Sequence, residues 1–512
     1  MKMKRTIFLL LLFLFGVNQN PCFGEPWDWQ TGIDVDTGGL SRDNFSKGFV
    51  FGTATSAYQV EGAAKTEGRG PSIWDVFVSK PGNIANNATA DVADDQYHRY
   101  KEDVELMVKM NMDAYRFSIS WSRIFPTGTG QINYKGVNYY NNLINYLLER
   151  GITPYVNLYH YDLPEGLDRA FGGWLNSQIV QEYGKYAEFC FKTFGDRVKN
   201  WMTFNEPRDI AALGYDNGIA APGRCSVPFG NCSAGNSSTE PYIVAHNLLL
   251  SHGTAVKIYR EKYQAQQKGK IGILLDFVWY EPLTDSSDDI SAAQRSRDFS
   301  IGWFLHPIAY GKYPDSMEEI VGWRLPKFTE EQSIMVKGSM DYLGLNQYTA
   351  YYMYDTHQPK PNITDYQMDW NAGFAFERNG VQIGPRANSE WLYIVPWGLY
   401  KAVMYIKDNY ENPTLIITEN GMDDPGNLTL EVGVHDTTRI NYYKDYINNL
   451  IKAMKEGANV VGYFAWSLLD NFEWTKGYTS RFGLVYVDFQ NLKRYPKMSA
   501  YWFSKLLQHP TN

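Results

Sequence analysis

Eight short, strand-like runs recur along this chain, and they limit its fold more than any other feature. They are FVFGTATS (49–56), DAYRFSIS (113–120), TPYVNLYH (153–160), NWMTFNE (200–206), KIGILLDF (270–277), DYLGLNQY (341–348), PTLIITE (413–419) and NVVGYFAWS (459–467). Several are nearly continuous in apolar residues, as parallel strands covered on both faces must be. Amphipathic helical stretches fall between them, such as YHRYKEDVELMVKM (97–110) and RINYYKDYINNLIKAMKEG (439–457). Eight strands alternating with helices predict an α/β fold, a single (β/α)8 TIM barrel with enlarged loops. No linker or repeat divides the chain. A barrel of this kind carries its reactive groups where the strands end, on the carboxyl-terminal face. Reading only those ends gives Arg116, His160, Asn205, Glu206, Asn346, Tyr348, Glu419 and Trp466, a polar and aromatic set where a core would place Val or Leu.

Composition closes off other classes. The chain has 512 residues, 44% hydrophobic and 20% charged, with a net charge of −8, so it has material for a large core and no basic surface for nucleic acid. Lys2, Lys4 and Arg5 precede an apolar run from Ile7 to Val17, and Gly24 offers a cleavage site. This reads as a secretory signal over residues 1–24, leaving residues 25–512 as the barrel, outside the cell or in its wall, with the vacuole as an alternative destination. The run is too short for a stable membrane anchor, so no membrane association is expected after cleavage. In an exported chain, Cys225 and Cys232 in GRCSVPFGNCSAGNSS predict a local disulfide, whereas Cys190 in YAEFCF reads as a packed thiol. N-glycosylation sequons stand at Asn44, Asn87, Asn231, Asn236, Asn362 and Asn427. The eight histidines are scattered without ligand spacing, so no metal and no cofactor is expected.

Two of the strand-end groups are carboxylates. Glu206 ends WMTFNE and Glu419 ends LIITE, and the fourth and seventh strands of an eight-strand ring face each other across its mouth. Pro207 predicts an extended Glu206, and Gly421 a turn after Glu419. Paired carboxylates in such a mouth suit cleavage of a glycosidic bond, one protonated to serve the leaving oxygen and one ionised to attack the anomeric carbon. Arg116 and Tyr348 would keep Glu419 anionic, and Glu206, facing that anion without a cation of its own, would hold its proton more tightly. Glu419 is thus read as nucleophile and Glu206 as acid/base. A gap of roughly 5–5.5 Å between them would go with retention of configuration.

TFNEP (203–207), ITENG (417–421), FGTATSAYQVEG (51–62), YRFSISWSRI (115–124), LYHYDLP (158–164) and FAWSLLDNFEW (464–474) resemble the signatures of glycoside hydrolase family 1. The likeness runs from about Phe45 to Leu507 and is strongest to plant β-glucosidases of the cereal β-glucosidase/β-mannosidase group. It implies a retaining exo-β-glycosidase that removes terminal β-D-glucosyl units, with β-D-mannosyl a second glycone, from oligosaccharides or plant glucosides through a covalent glycosyl-enzyme. It also implies that Gln59, His160, Asn205, Glu473 and Trp474 hold the sugar hydroxyls. Asn346, Tyr348, Trp466 and Phe482 complete the substrate-binding set, and Trp391 serves the aglycone side.

Thioglucosidases of this family carry glutamine at the acid position, so Glu206 points to O-glycosides. Glu473 and Trp474 point to an uncharged sugar. Tyr161 stands where many members have tryptophan, Gln347 where many have tyrosine, and Val278 replaces an asparagine that near relatives use beyond the first sugar. Two alternatives stay open at this stage: a transglucosidase sharing the covalent intermediate, and a catalytically silent sugar-binding protein. Sequence does not fix the oligomeric state.

Overall fold

The computed structural model describes Trp29, residues 32–358 and residues 363–508, so the expected signal at residues 1–24 and the Asn362 sequon lie outside the described residues. Each of the eight runs forms a strand: β1 Val50–Ala54, β2 Ala114–Ser118, β3 Thr153–Asn157, β4 Asn200–Asn205, β5 Lys270–Asp276, β6 Tyr342–Asn346, β7 Leu415–Asn420 and β8 Val460–Trp466. All pair in parallel and close into a barrel in the order β1-β8-β7-β6-β5-β4-β3-β2.

Alternation along each strand sends side chains inward and outward in turn, and the inward set fills the barrel rather than leaving a pore. Ala114, Tyr155, Met202, Leu274, Tyr342, Ile416 and Phe464, one from each of β2 to β8, form that inner cluster. The Tyr155 and Phe464 rings lie 5.0 Å apart, centroid to centroid. β1 contributes Gly52, and a Cβ there would lie 2.4 Å from the Phe464 ring, so glycine makes the room that the aromatic ring occupies. The outward residues pack against helices such as Gln96–Lys109 and Thr437–Lys455. In the latter, Ile440, Tyr443, Ile447, Leu450 and Ile451 recur at three- and four-residue intervals and are buried, which is why this stretch is a helix lying on the sheet.

The loops at the carboxyl-terminal face hold structure that the sequence reading did not foresee. Trp279–Pro282, Ala350–Asp355 and Ala372–Ala375 pair into a three-stranded sheet above the mouth. Cys225 and Cys232 are joined, with Cα atoms 5.3 Å apart, while Cys190 is free and buried. Opening this short ring with Cys225→Ser should cost about 2 kcal/mol through the unfolded chain's regained entropy, measured as a lower Tm by calorimetry. Asn44, Asn87, Asn231, Asn236 and Asn427 are all exposed. Among the described residues, no helix is long and apolar enough to cross a membrane and no cluster could hold a metal ion.

Candidate active site

The site begins where β4 ends. Glu206 is not extended as Pro207 predicts: it sits at φ 41°, ψ 64°, in the left-handed region, and caps the helix Pro207–Tyr215. Two hydrogen bonds override the local preference. The Glu206 amide donates to Leu274 on β5 at 2.9 Å, finishing the sheet ladder, and its carbonyl accepts from the Asp209 amide at 3.0 Å, starting the helix. A strand must become a helix across this one residue, at a cost of about 1–2 kcal/mol for a non-glycine side chain.

Across the mouth, Glu419 is buried near the end of β7. Gly421 is not in the left-handed region, and its role is close approach: a Cβ would lie 2.1 Å from the Trp466 carbonyl on β8. The two carboxylates meet different partners. Arg116 Nη1 donates to Glu419 Oε1 at 2.5 Å, and the Tyr348 hydroxyl to Oε2 at 2.6 Å, so each oxygen has one strong donor. Arg116 Nη2 donates to Asn205 Oδ1 at 2.5 Å, and Asn205 Nδ2 reaches Glu206 Oε2 at 3.2 Å. Three hydrogen bonds therefore connect the two acids through one buried guanidinium.

Glu206 has only neutral donors. Asn346 Nδ2 lies 2.9 Å from Oε1, and the Tyr161 hydroxyl donates to Oε2. Thr418 Oγ1 orients Asn346 by donating to its Oδ1 at 2.7 Å. The adjacent Arg208 is committed to Asp276 and Asp209, each at 2.6 Å. Burial first, then the charge of Glu419, then Asp209 and Asp276 push the Glu206 carboxyl well above the ordinary glutamate range. His160, buried beside Asn205 at 3.2 Å, is pushed well below the ordinary imidazole value by burial and by Arg116 and stays neutral.

The remaining predicted residues line the same mouth. Gln59 is fully buried, accepts from Ser56 Oγ at 2.7 Å, and extends Nε2 to Asn471 Oδ1 at 3.1 Å and Glu473 Oε2 at 3.3 Å. Burial, then the charges of Asp423 and Glu419, push the Glu473 carboxyl above the ordinary glutamate range, against the smaller opposing effect of the hydrogen bond from Gln59. Trp474 lies nearly parallel to Tyr58 and His160, with ring centroids 6.0 and 5.9 Å away. Trp466 is 3% exposed and near-parallel to the His160 ring at 6.0 Å. Phe482 is buried edge-on to Tyr348 at 6.1 Å, while Trp391 is 42% exposed and meets Tyr348 edge-on at 5.7 Å. An exposed tryptophan beside Tyr348 offers a flat apolar face to solvent.

Sequence reasoning missed several contributors. Asp276 ends β5 and was reachable by the strand-end rule. Tyr161 stood out only as a departure from the family pattern, with nothing to say that its hydroxyl meets Glu206. Thr418 faces Asn346 by strand register alone.

The pattern of Glycosyl hydrolase family 1 matches residues 41–511. This chain belongs to that family. The family 1 chain is 68% identical over 475 residues to β-glucosidase 44 of Arabidopsis thaliana, covering 93% of each protein. It is 69% identical over 471 residues to β-glucosidase 1 of Oryza sativa subsp. japonica, covering 92% of this chain and 90% of that one. Among solved structures, a rice β-glucosidase mutant in a covalent complex with Glc aligns with a TM-score of 0.91 at 51% identity, over 92% of this chain and 100% of that one.

Proposed function

We propose that this family 1 hydrolase is a retaining exo-β-glucosidase, with Glu419 as nucleophile and Glu206 as acid/base. One observation supports the reading above the others: Glu419 has a guanidinium and a phenol on its two oxygens, whereas Glu206 has neutral donors and a raised proton affinity. The first group is poised to attack as an anion, the second to arrive carrying a proton. In the first half-reaction Glu419 forms an ester bond to the anomeric carbon, the glycosidic C–O bond breaks, and Glu206 passes its proton to the leaving oxygen. In the second, Glu206 takes a proton from water, whose oxygen attacks the same carbon as the ester bond breaks. Two inversions return the β configuration.

Gln59 is hydrogen-bonded to Glu473, and His160 lies against both Asn205 and Trp474, in keeping with a single glycone pocket that holds a terminal β-D-glucosyl unit. A β-D-mannosyl unit differs in the stereochemistry of its 2-hydroxyl, which Asn205 is placed to meet. Trp391 is read as the aglycone platform. The chain is further proposed to be exported under the direction of residues 1–24, with residues 25–512 as the mature catalytic unit and glycans on its exposed sequons. The covalent step has a direct test. Treatment with a 2-deoxy-2-fluoro-β-D-glucoside bearing a good leaving group should add one fluoroglucosyl mass per chain, and peptide mapping should place it on Glu419. Labelling of a different residue, or none while turnover continues, would overturn the assignment.

A further inference from the structure

Behind the mouth lies a set of buried charges that touches neither Glu206 nor Glu419. Asp470 and Lys497 are fully buried and Arg481 is 5% exposed. Asp470 Oδ1 accepts from Lys497 Nζ at 2.7 Å and from the Gly483 amide at 2.9 Å, and Oδ2 accepts from Arg481 Nη1 at 2.7 Å. A second centre adjoins it. Arg439, also fully buried, uses Nε on Asp436 at 2.8 Å, Nη1 on the carbonyls of Met422 and, at 3.3 Å, Phe482, and Nη2 on Asp424 and, at 3.1 Å, the Arg481 carbonyl. Three acids (Asp424, Asp436, Asp470) balance three bases (Arg439, Arg481, Lys497).

Stability alone does not account for this arrangement, because an apolar cluster of similar volume commonly does as well as a buried ion-pair network. What charged forks add is direction, since they fix backbone carbonyls and amides that apolar side chains cannot grip. The groups fixed here belong to two segments: residues 467–483, which carry Glu473, Trp474 and Phe482, and residues 422–424, just beyond Glu419. Within the first segment the Phe472 amide donates to the Gln59 carbonyl at 3.2 Å, so its position bears on both Gln59 and Glu473. Phe482 packs on Tyr348, whose hydroxyl holds Glu419.

We propose that Asp470, with Lys497 and Arg481, and Arg439 are positioning residues that lock the sugar-recognition segment 467–483 in register with the segment following Glu419. The proposal rests on the reading of Glu473 as a sugar-holding group. A small displacement of such a group, caused from a distance, can cost about 10²-fold in rate.

The experiment compares kcat/KM for an aryl β-D-glucoside and its 4-deoxy and 6-deoxy analogues in the full chain and in Asp470→Asn, Arg481→Gln, Glu473→Ala and Asp470→Asn combined with Glu473→Ala. Asp470→Asn is expected to lower kcat/KM for the parent glucoside by about 10²-fold and to shrink its preference over the deoxy sugars. Adding it to Glu473→Ala should cost little more, since coupled residues do not add. Arg481→Gln leaves Lys497 on Asp470, so it supplies the same readout with milder strain should Asp470→Asn not fold. Asp103→Asn, which breaks the buried pair with Arg494 at 2.9 Å, is the control and should lower Tm while leaving the sugar preference unchanged. If the network variants lower Tm but keep the parent preference, or add fully to Glu473→Ala, the network is merely structural and the proposal falls. An unchanged preference in Glu473→Ala would instead overturn the reading of Glu473 itself.

Discussion

Glu419→Gln should leave a folded protein whose turnover of an aryl β-D-glucoside is lower by about 10⁶-fold, the scale seen when a covalent catalyst loses its nucleophile. The amide is nearly isosteric and can still accept from Tyr348, so the barrel should stay folded, although neutralising one partner of the buried pair with Arg116 should lower its Tm. What disappears is the anion that Arg116 and Tyr348 hold beside the sugar carbon. Steady-state kinetics with circular dichroism as the folding check decides the matter. Activity within about a hundredfold of the parent would exclude a double displacement through this residue, because acid catalysis and binding alone supply no more than the remainder.

Glu206→Gln has the second-largest expected effect, and its pattern is more telling than its size. For a poor leaving group, kcat/KM should fall by about 10²–10⁴-fold, the range that general acid catalysis contributes. For an activated aryl glucoside that needs no proton on departure, the first half-reaction should be largely spared while the second, which needs a base, stalls. A burst of phenol followed by a slow steady state is the expected trace. The pH profile carries an independent sign. Glu206 must be protonated to act first, and burial with Glu419 raises its proton affinity, so the alkaline limb of the parent's kcat/KM profile lies at that elevated value. Stability moves the same way: with the folded pKa above the unfolded one, the contribution is complete below the unfolded value near 4.3 and lost as pH climbs through the folded one. In Glu206→Gln the alkaline limb and this slope in unfolding free energy should both vanish, and persistence of either would assign it to another group.

The fold was largely legible because parallel barrel strands, packed on helices outside and on one another's side chains inside, must be apolar on both faces, and all eight runs became barrel strands. The strand-end rule reached Asn205, Glu206, Asn346, Tyr348 and Glu419 without any long-range information, whereas Arg116 lies at the middle of β2. What stayed hidden depends on register and on contacts between distant segments. Pro207 argues locally for an extended Glu206, but the β5 ladder and the first helical turn together hold that residue elsewhere. Gly421 suggested a turn, whereas its reason lies on the neighbouring strand at the Trp466 carbonyl. The hydroxyl of Tyr161 reaching Glu206, and the charges around Arg439 and Asp470, involve partners that no spacing rule brings together.

The bent backbone at Glu206 sets folding and chemistry at odds on a single residue. Glycine, or to a lesser degree asparagine, would sit there with less strain than any acid. A mutant library screened for heat resistance alone would therefore discard the proposed proton donor early, and stabilisation of this protein has to be sought under simultaneous selection for turnover.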